Sequence, residues 1–231
     1  MHSFQALFVC AILLLSSVLQ AEEAKPVYLG FDGEFGVEQS TSAQAIERGI
    51  LIALDEINRA GGVLGGRPLQ LISKDNRSVT ARGVKNLKEF AQTPDLVAMF
   101  VGRFSPVVLE YVDLAHQLEM IVLDPWAAAD AITQNGKKPN YIFRLSLRDG
   151  LAMPAMLKHA LGKGAGRVGL LLPNTSWGRS NLASAERYFH EASRLHLVGI
   201  EWYQWGDKTM LDKYQALRAA GAQAIEFVAN D

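Results

Sequence analysis

Arg103, Phe104 and Ser105 follow the apolar run 96–101, and Asp124, Pro125, Trp126 and Ala127 close the run that begins at Met120. Asp32, Glu34 and Phe35 stand in the same relation to an earlier run, and Asn174, Ser176 and Trp177 to a later one. These residue types suit recognition better than bond-making. Arginine offers a planar pair of donors to a carboxylate. A helix opening at Ser105-Pro106 would add free N–H groups and the positive end of its dipole for the same anion. Trp126 and Trp177 can sandwich an apolar, aromatic or cationic group. Each has a competing use: Arg103 as the ion partner of Asp124 or Asp32, and the two tryptophans as plain packing.

Patterns for catalysis and cofactors fail on context. The glycines of 61–66 follow a helical segment and precede a strand, the reverse of the order a dinucleotide fingerprint requires, and read as a helix stop and turn. Gly162 to Gly166 has the same wrong order, and Gly178-Arg179-Ser180 lacks the upstream glycine and the lysine of a phosphate loop. There is no GxSxG elbow and no HExxH pair. His2, His116, His159, His190 and His196 are scattered singly, so no metal cluster and no histidine-based triad is expected. The reading is a non-enzyme without cofactor or metal. Trp202 and Trp205 fall in a strand pattern and read as core.

The elements that must position these loops are legible from periodicity. Strands are predicted over 27–31, 69–74, 96–101, 120–124 and 141–145. Helices are predicted from about 43 to 59 with Ile46, Ile50, Ala53, Leu54 and Ile57 inward, over 79–91, and from about 106 to 118 with Val108, Tyr111, Val112, Ala115 and Leu118 inward. Ser40, Thr41 and Ser42 are candidate caps of the first helix, and Gly61-Gly62 ends it. The alternation then restarts: helix 150–161, strand 168–172, helix 179–195, strand 198–205, helix 210–219, strand 224–228. Strands alternating with helices demand parallel sheets flanked by helices. The reading is an α/β chain of two lobes, 22–143 and 144–231, whose second lobe ends on a strand with no covering helix and so is incomplete at Asp231.

Composition narrows the class. Basic and acidic residues number 23 and 24, and 49% of residues are hydrophobic, which excludes disorder and removes the electrostatic footprint of a nucleic-acid binder. Residues 1–21 contain no Asp, Glu, Lys or Arg and carry an apolar run too short to span a bilayer, the pattern of a cleaved secretory signal. Cys10, the single cysteine, lies inside it. The mature chain then has no thiol and rests on packing alone in an oxidising compartment.

The segment Ala45-Ile46-Glu47-Arg48-Gly49-Ile50 through Ile57-Asn58-Arg59-Ala60-Gly61-Gly62-Val63-Leu64-Gly65-Gly66-Arg67-Pro68-Leu69 resembles the periplasmic branched-chain amino-acid-binding proteins that serve ABC importers. Asp75, Val101-Gly102 before Ser105, Pro125, Arg144 with Asp149, and Trp177-Gly178 extend the resemblance across residues 25–231. It implies a type I periplasmic-binding fold, two α/β lobes on a hinge that trap a solute in their cleft. It also implies export to the periplasm, a small-molecule ligand and an ABC permease in the inner membrane as partners, and neither nucleic acid nor membrane insertion after signal cleavage. The same fold also serves as the extracellular input of signalling receptors. Two departures affect the ligand. Arg103-Phe104-Ser105-Pro106 stands where the family carries a Ser-Ser/Thr run, so only Ser105 matches. Trp126-Ala127-Ala128 replaces a small-Ala-Thr/Ser sequence, so the headgroup-gripping hydroxyl is absent at Ala128. The expected ligand site is Arg103, Phe104, Ser105, Asp124, Trp126, Ala127 and Trp177, and a small carboxylate or aromatic compound suits it better than leucine.

Overall fold

The computed structural model describes residues 24–37 and 41–229; the signal-like segment 1–21 with Cys10, the candidate cap Ser40 and the closing Asn230-Asp231 lie outside them. Strand β1 (Val27–Gly33) leads to α1 (Ser42–Arg59), β2 (Leu69–Asp75), α2 (Thr80–Ala91), β3 (Leu96–Val101), α3 (Ser105–Gln117), β4 (Val122–Asp124) and β5 (Ile142–Arg144). These strands pair in parallel in the order β2-β1-β3-β4-β5. A second set, α4 (Asp149–Gly162), β6 (Arg167–Pro173), α5 (Ser176–Glu191), β7 (His196–Tyr203), α6 (Leu211–Ala219) and β8 (Ala224–Phe227), forms a parallel sheet in the order β7-β6-β8. Among the described residues no helix is long and apolar enough to cross a membrane.

In the first sheet the chain leaves β1 toward one side and β3 toward the other, so the loops after β1 and β3 part at a topological switch point, where open α/β sheets hold ligands. One face is sealed by α2 and α3: Leu87, Phe90, Val107, Val108, Tyr111 and Ala115 pack on Met99, Val101, Val122 and Ile142. Each large apolar side chain so buried contributes about 1.5–3 kcal/mol. Helix α3 opens with Pro106 in its first turn, where the missing N–H costs nothing because that donor lacks an intrahelical partner anyway.

The other face is only half covered. Helix α1 sets Ile50 and Leu54 over Phe31 with Leu29 and Leu71 alongside, which protects the β1–β2 half. Alternation along the strands turns Leu123 and Phe143 to this same face, and the register places Phe100 beside Leu123 and Leu123 beside Phe143. Phe143 is 55% and Leu145 88% exposed. They line a depression of about 270 Å³ with Phe100 and Leu123. Part of the predicted stripes is corrected: Ala53 and Ile57 of α1, and Leu118 just past α3, are exposed rather than inward. Thr41 takes the N-cap position of α1 without a side-chain cap bond. Gly61 and Gly62 do end α1, with φ of 108° and 73°, a region open to glycine and strained for residues with a Cβ.

Candidate functional site

The loop after β4 is built from the strand end outward. The Asp124 Oδ1 atom accepts the N–H groups of Trp126 (3.1 Å) and Ala127 (2.8 Å), which folds the chain back at Pro125. Ser105, the first residue of α3, turns its hydroxyl oxygen to the N–H groups of Ala128 (3.1 Å) and Ala129 (3.3 Å). The Arg144 guanidinium donates to the carbonyls of Ala127 (2.9 Å) and Ala129 (2.7 Å), and Ser146 also donates to Ala127. Asp124, Ser105 and Ala127 are therefore buried in the scaffold of the loop. What the loop displays is Trp126, 46% exposed. The ion pair on Asp124 runs to Arg144 at 3.9 Å. Burial pushes the Asp124 carboxyl up to about 6 against the opposing pull of Arg144 and the two N–H groups.

Beneath the switch point the Asp32 carboxylate is fully buried and accepts from Asn76 (2.8 Å), Asn86 (2.6 Å) and the Tyr111 hydroxyl. It pins the turn after β2, α2 and α3 to the end of β1. Glu34, two residues on and also fully buried, receives the N–H of Arg103 on Oε2 (3.2 Å) and the N–H of Phe104 on Oε1 (3.1 Å). Burial raises the pKa of both carboxyls, and their hydrogen bonds oppose the rise. A Cβ on Gly102 would overlap the Glu34 carboxylate, so the glycine makes room for it. The sequence-based expectation left the free N–H groups at the start of α3 to a ligand; the two N–H groups just ahead of that helix, of Arg103 and Phe104, hold a carboxylate of the protein itself.

On the second sheet, Trp177 in the first turn of α5 donates through Nε1 to Asp149 (3.1 Å) and packs with the core of α4, α5 and β6. The N–H of Asp149 donates to the carbonyl of Ala128 at 2.8 Å. Trp177 is thereby tied through one residue, Asp149, to the Trp126 loop. Asp130 adds a second tie: its carboxylate accepts from the Gly150 N–H (2.8 Å), Arg148 (3.4 Å), Ser184 (3.4 Å) and Arg187 (3.2 Å), while its own N–H donates to Ser180 (3.1 Å). Trp202 packs with that same core. Trp205 does not; β7 stops at Tyr203, and a turn closed by Asp207 on the Gln204 N–H swings Trp205 out, 43% exposed. Its ring meets Phe104 of the first half edge-on at 6.1 Å and Tyr203 at 5.7 Å. Phe104 and Trp205 thus meet across the two sheets, and Trp126 is exposed on the loop after β4. Among the described residues no three His, Cys, Asp or Glu side chains gather in a group that could hold a metal ion.

Comparison with known proteins gives this architecture its family. Residues 26–231 match the periplasmic binding protein family, and the chain belongs to it. The fold is that of a type 1 periplasmic binding protein from Bordetella pertussis Tohama I, with a TM-score of 0.80 at 18% identity over 89% of this chain and 56% of that one. It is also similar to the branched-chain amino acid transporter substrate-binding protein of Streptococcus pneumoniae in complex with isoleucine (TM-score 0.74, 22% identity, 88% of this chain and 57% of that one). A third is a solute-binding protein of an ABC transporter from R. palustris in complex with 4-hydroxybenzoate (TM-score 0.77, 18% identity, 89% and 54%). This chain spans a little over half the length of each. No curated protein sequence matches it.

Proposed function

We propose that the chain is the solute-capturing part of an exported ABC-importer binding protein. It holds a small organic ligand between lobes 22–143 and 144–231 and passes it unchanged to a permease in the inner membrane. The reading is carried by one observation: the loops after β3 and β4, held rigidly at their strand ends, carry Phe104 and an exposed Trp126, and the Phe104 ring meets Trp205 of the second half. Trp177, Asp124, Ser105 and Ala127 shape the cleft by holding its walls, and Arg103 stands on the same loop as Phe104. The neighbours crystallised with isoleucine and 4-hydroxybenzoate agree with a solute of this size. Working in the periplasm accords with the signal-like residues 1–21. Titration calorimetry of the full natural polypeptide against amino acids, aliphatic and aromatic carboxylates, amides and amines tests the reading. Saturable heat with one class and no change in the solute is the expected result, and silence across the whole panel overturns it.

A further inference from the structure

Resting on that reading, we infer that Glu34 permanently fills the anion position of the switch-point crevice. The cleft therefore selects an aromatic solute whose head is uncharged or cationic over the matching carboxylate. The crevice between β1 and β3 is where a helix start and two parting loops leave donors free for an anion. Here the Arg103 and Phe104 N–H groups converge on the two oxygens of one fully buried glutamate. Gly102 leaves the space that this carboxylate occupies.

The second element of a carboxylate grip is reduced to the single O–H of Ser105. The Ser105 oxygen accepts the Ala128 and Ala129 N–H groups, and residue 128 carries no hydroxyl. A ligand carboxylate approaching these donors would meet Glu34 at close range in a poorly solvated place, where like charges repel strongly. The same charge favours a cation or a neutral donor. The exposed rings of Trp126 and Trp205 accept an aromatic body or a cation equally well.

The test is calorimetry on the full natural polypeptide at pH 7 with matched triplets: benzoate, benzamide and benzylamine; indole-3-acetate, indole-3-acetamide and tryptamine; 4-hydroxybenzoate, 4-hydroxybenzamide and tyramine. In at least one triplet the amide or amine should bind at least about tenfold tighter than the acid, the scale of one like-charge juxtaposition. In Glu34→Gln that preference should shrink at least about threefold, since the repelling charge is gone. In Glu34→Ala, added formate should raise the melting temperature saturably, with no such response in the wild type. An acid that binds tightest, through Arg103 or otherwise, overturns the inference and leaves solute capture standing. A preference untouched in Glu34→Gln overturns it as well, whether or not Glu34→Ala folds. Should none of the aromatic probes bind while an aliphatic amino acid does, the aromatic selection is wrong and the binding function remains. If no solute of any class binds, both fall together.

Discussion

Phe104, at the threshold of α3, and Trp205, two residues past β7, meet edge to face with ring centroids 6.1 Å apart and an interplanar angle of 62°. The contact joins elements of two separate sheets. A pair in this geometry is worth about 0.5–1.5 kcal/mol beyond its buried area. A double-mutant cycle with Phe104→Ala and Trp205→Ala, read by urea unfolding, should return a coupling energy in that range. Simple additivity would mean that the rings touch without holding anything.

Gly102 should be nearly irreplaceable while Glu34 is present. A methyl group there runs into the buried carboxylate, and overpacking of this kind costs about 1–3 kcal/mol. The prediction is a lowered urea midpoint for Gly102→Ala, with much of the loss recovered in the Gly102→Ala, Glu34→Ala double variant. Equal loss in both would show that the glycine is needed for its backbone alone.

Asp124 predicts an unusual pH response. Its folded pKa of about 6 lies above its ordinary value of 3.8, so between those limits the folded protein binds a proton that the unfolded chain releases. Stability from this group is therefore lost as pH rises from about 4 through 6. Asp124→Asn keeps an oxygen for the Trp126 and Ala127 N–H groups but cannot ionise. The melting temperature of the variant relative to wild type should climb between pH 4.5 and pH 7.5, at about 2–4 °C for each kcal/mol. A flat difference across that interval contradicts the burial argument.

Much of the fold could be read from local pattern because each strand and helix carries its own period and each parallel pair requires a crossover. What failed depended on neighbours distant in sequence. Glu34 meets Arg103 from 69 positions away, and only the adjacency of β1 and β3 in the sheet brings them together. Gly102, directly after a strand and before a helix, was the available signal. Trp205 continued the alternation of β7 on paper, but Gly206 at φ 91° and the Asp207 turn end the strand first. In sequence Ser105, Asp124 and Ala127 read as ligand contacts; in the structure the Ser105 oxygen and Asp124 Oδ1 accept loop N–H groups and all three residues are buried in the loops they hold in shape. The inward stripe of α1 failed at Ala53 and Ile57 because a helix pattern reports which side is apolar, not whether anything stands against it.

Asp130 is the point at which the loop after β4 and α5 are most heavily bonded to each other. Asp130→Ala removes a carboxylate that accepts from Gly150, Arg148, Ser184 and Arg187. Hydrogen bonds to a charged group of this kind are worth about 1.5–3 kcal/mol. Amide hydrogen exchange should accelerate at Gly150 and around residues 128–132, with the core of β3 unchanged. Acceleration spread evenly over the whole chain would mean that the network is not a local tie.

The placement of the four tryptophans gives the molecule an optical signal of its own. Trp177 and Trp202 pack against the second apolar core, whereas Trp126 and Trp205 stand 46% and 43% open to water, so the red edge of the emission spectrum comes from these two exposed rings. Any compound settling against either ring strips solvent from that indole first. Screening for it requires no dye, no label and no prior guess at its chemistry, only a blue shift in the light the protein already emits.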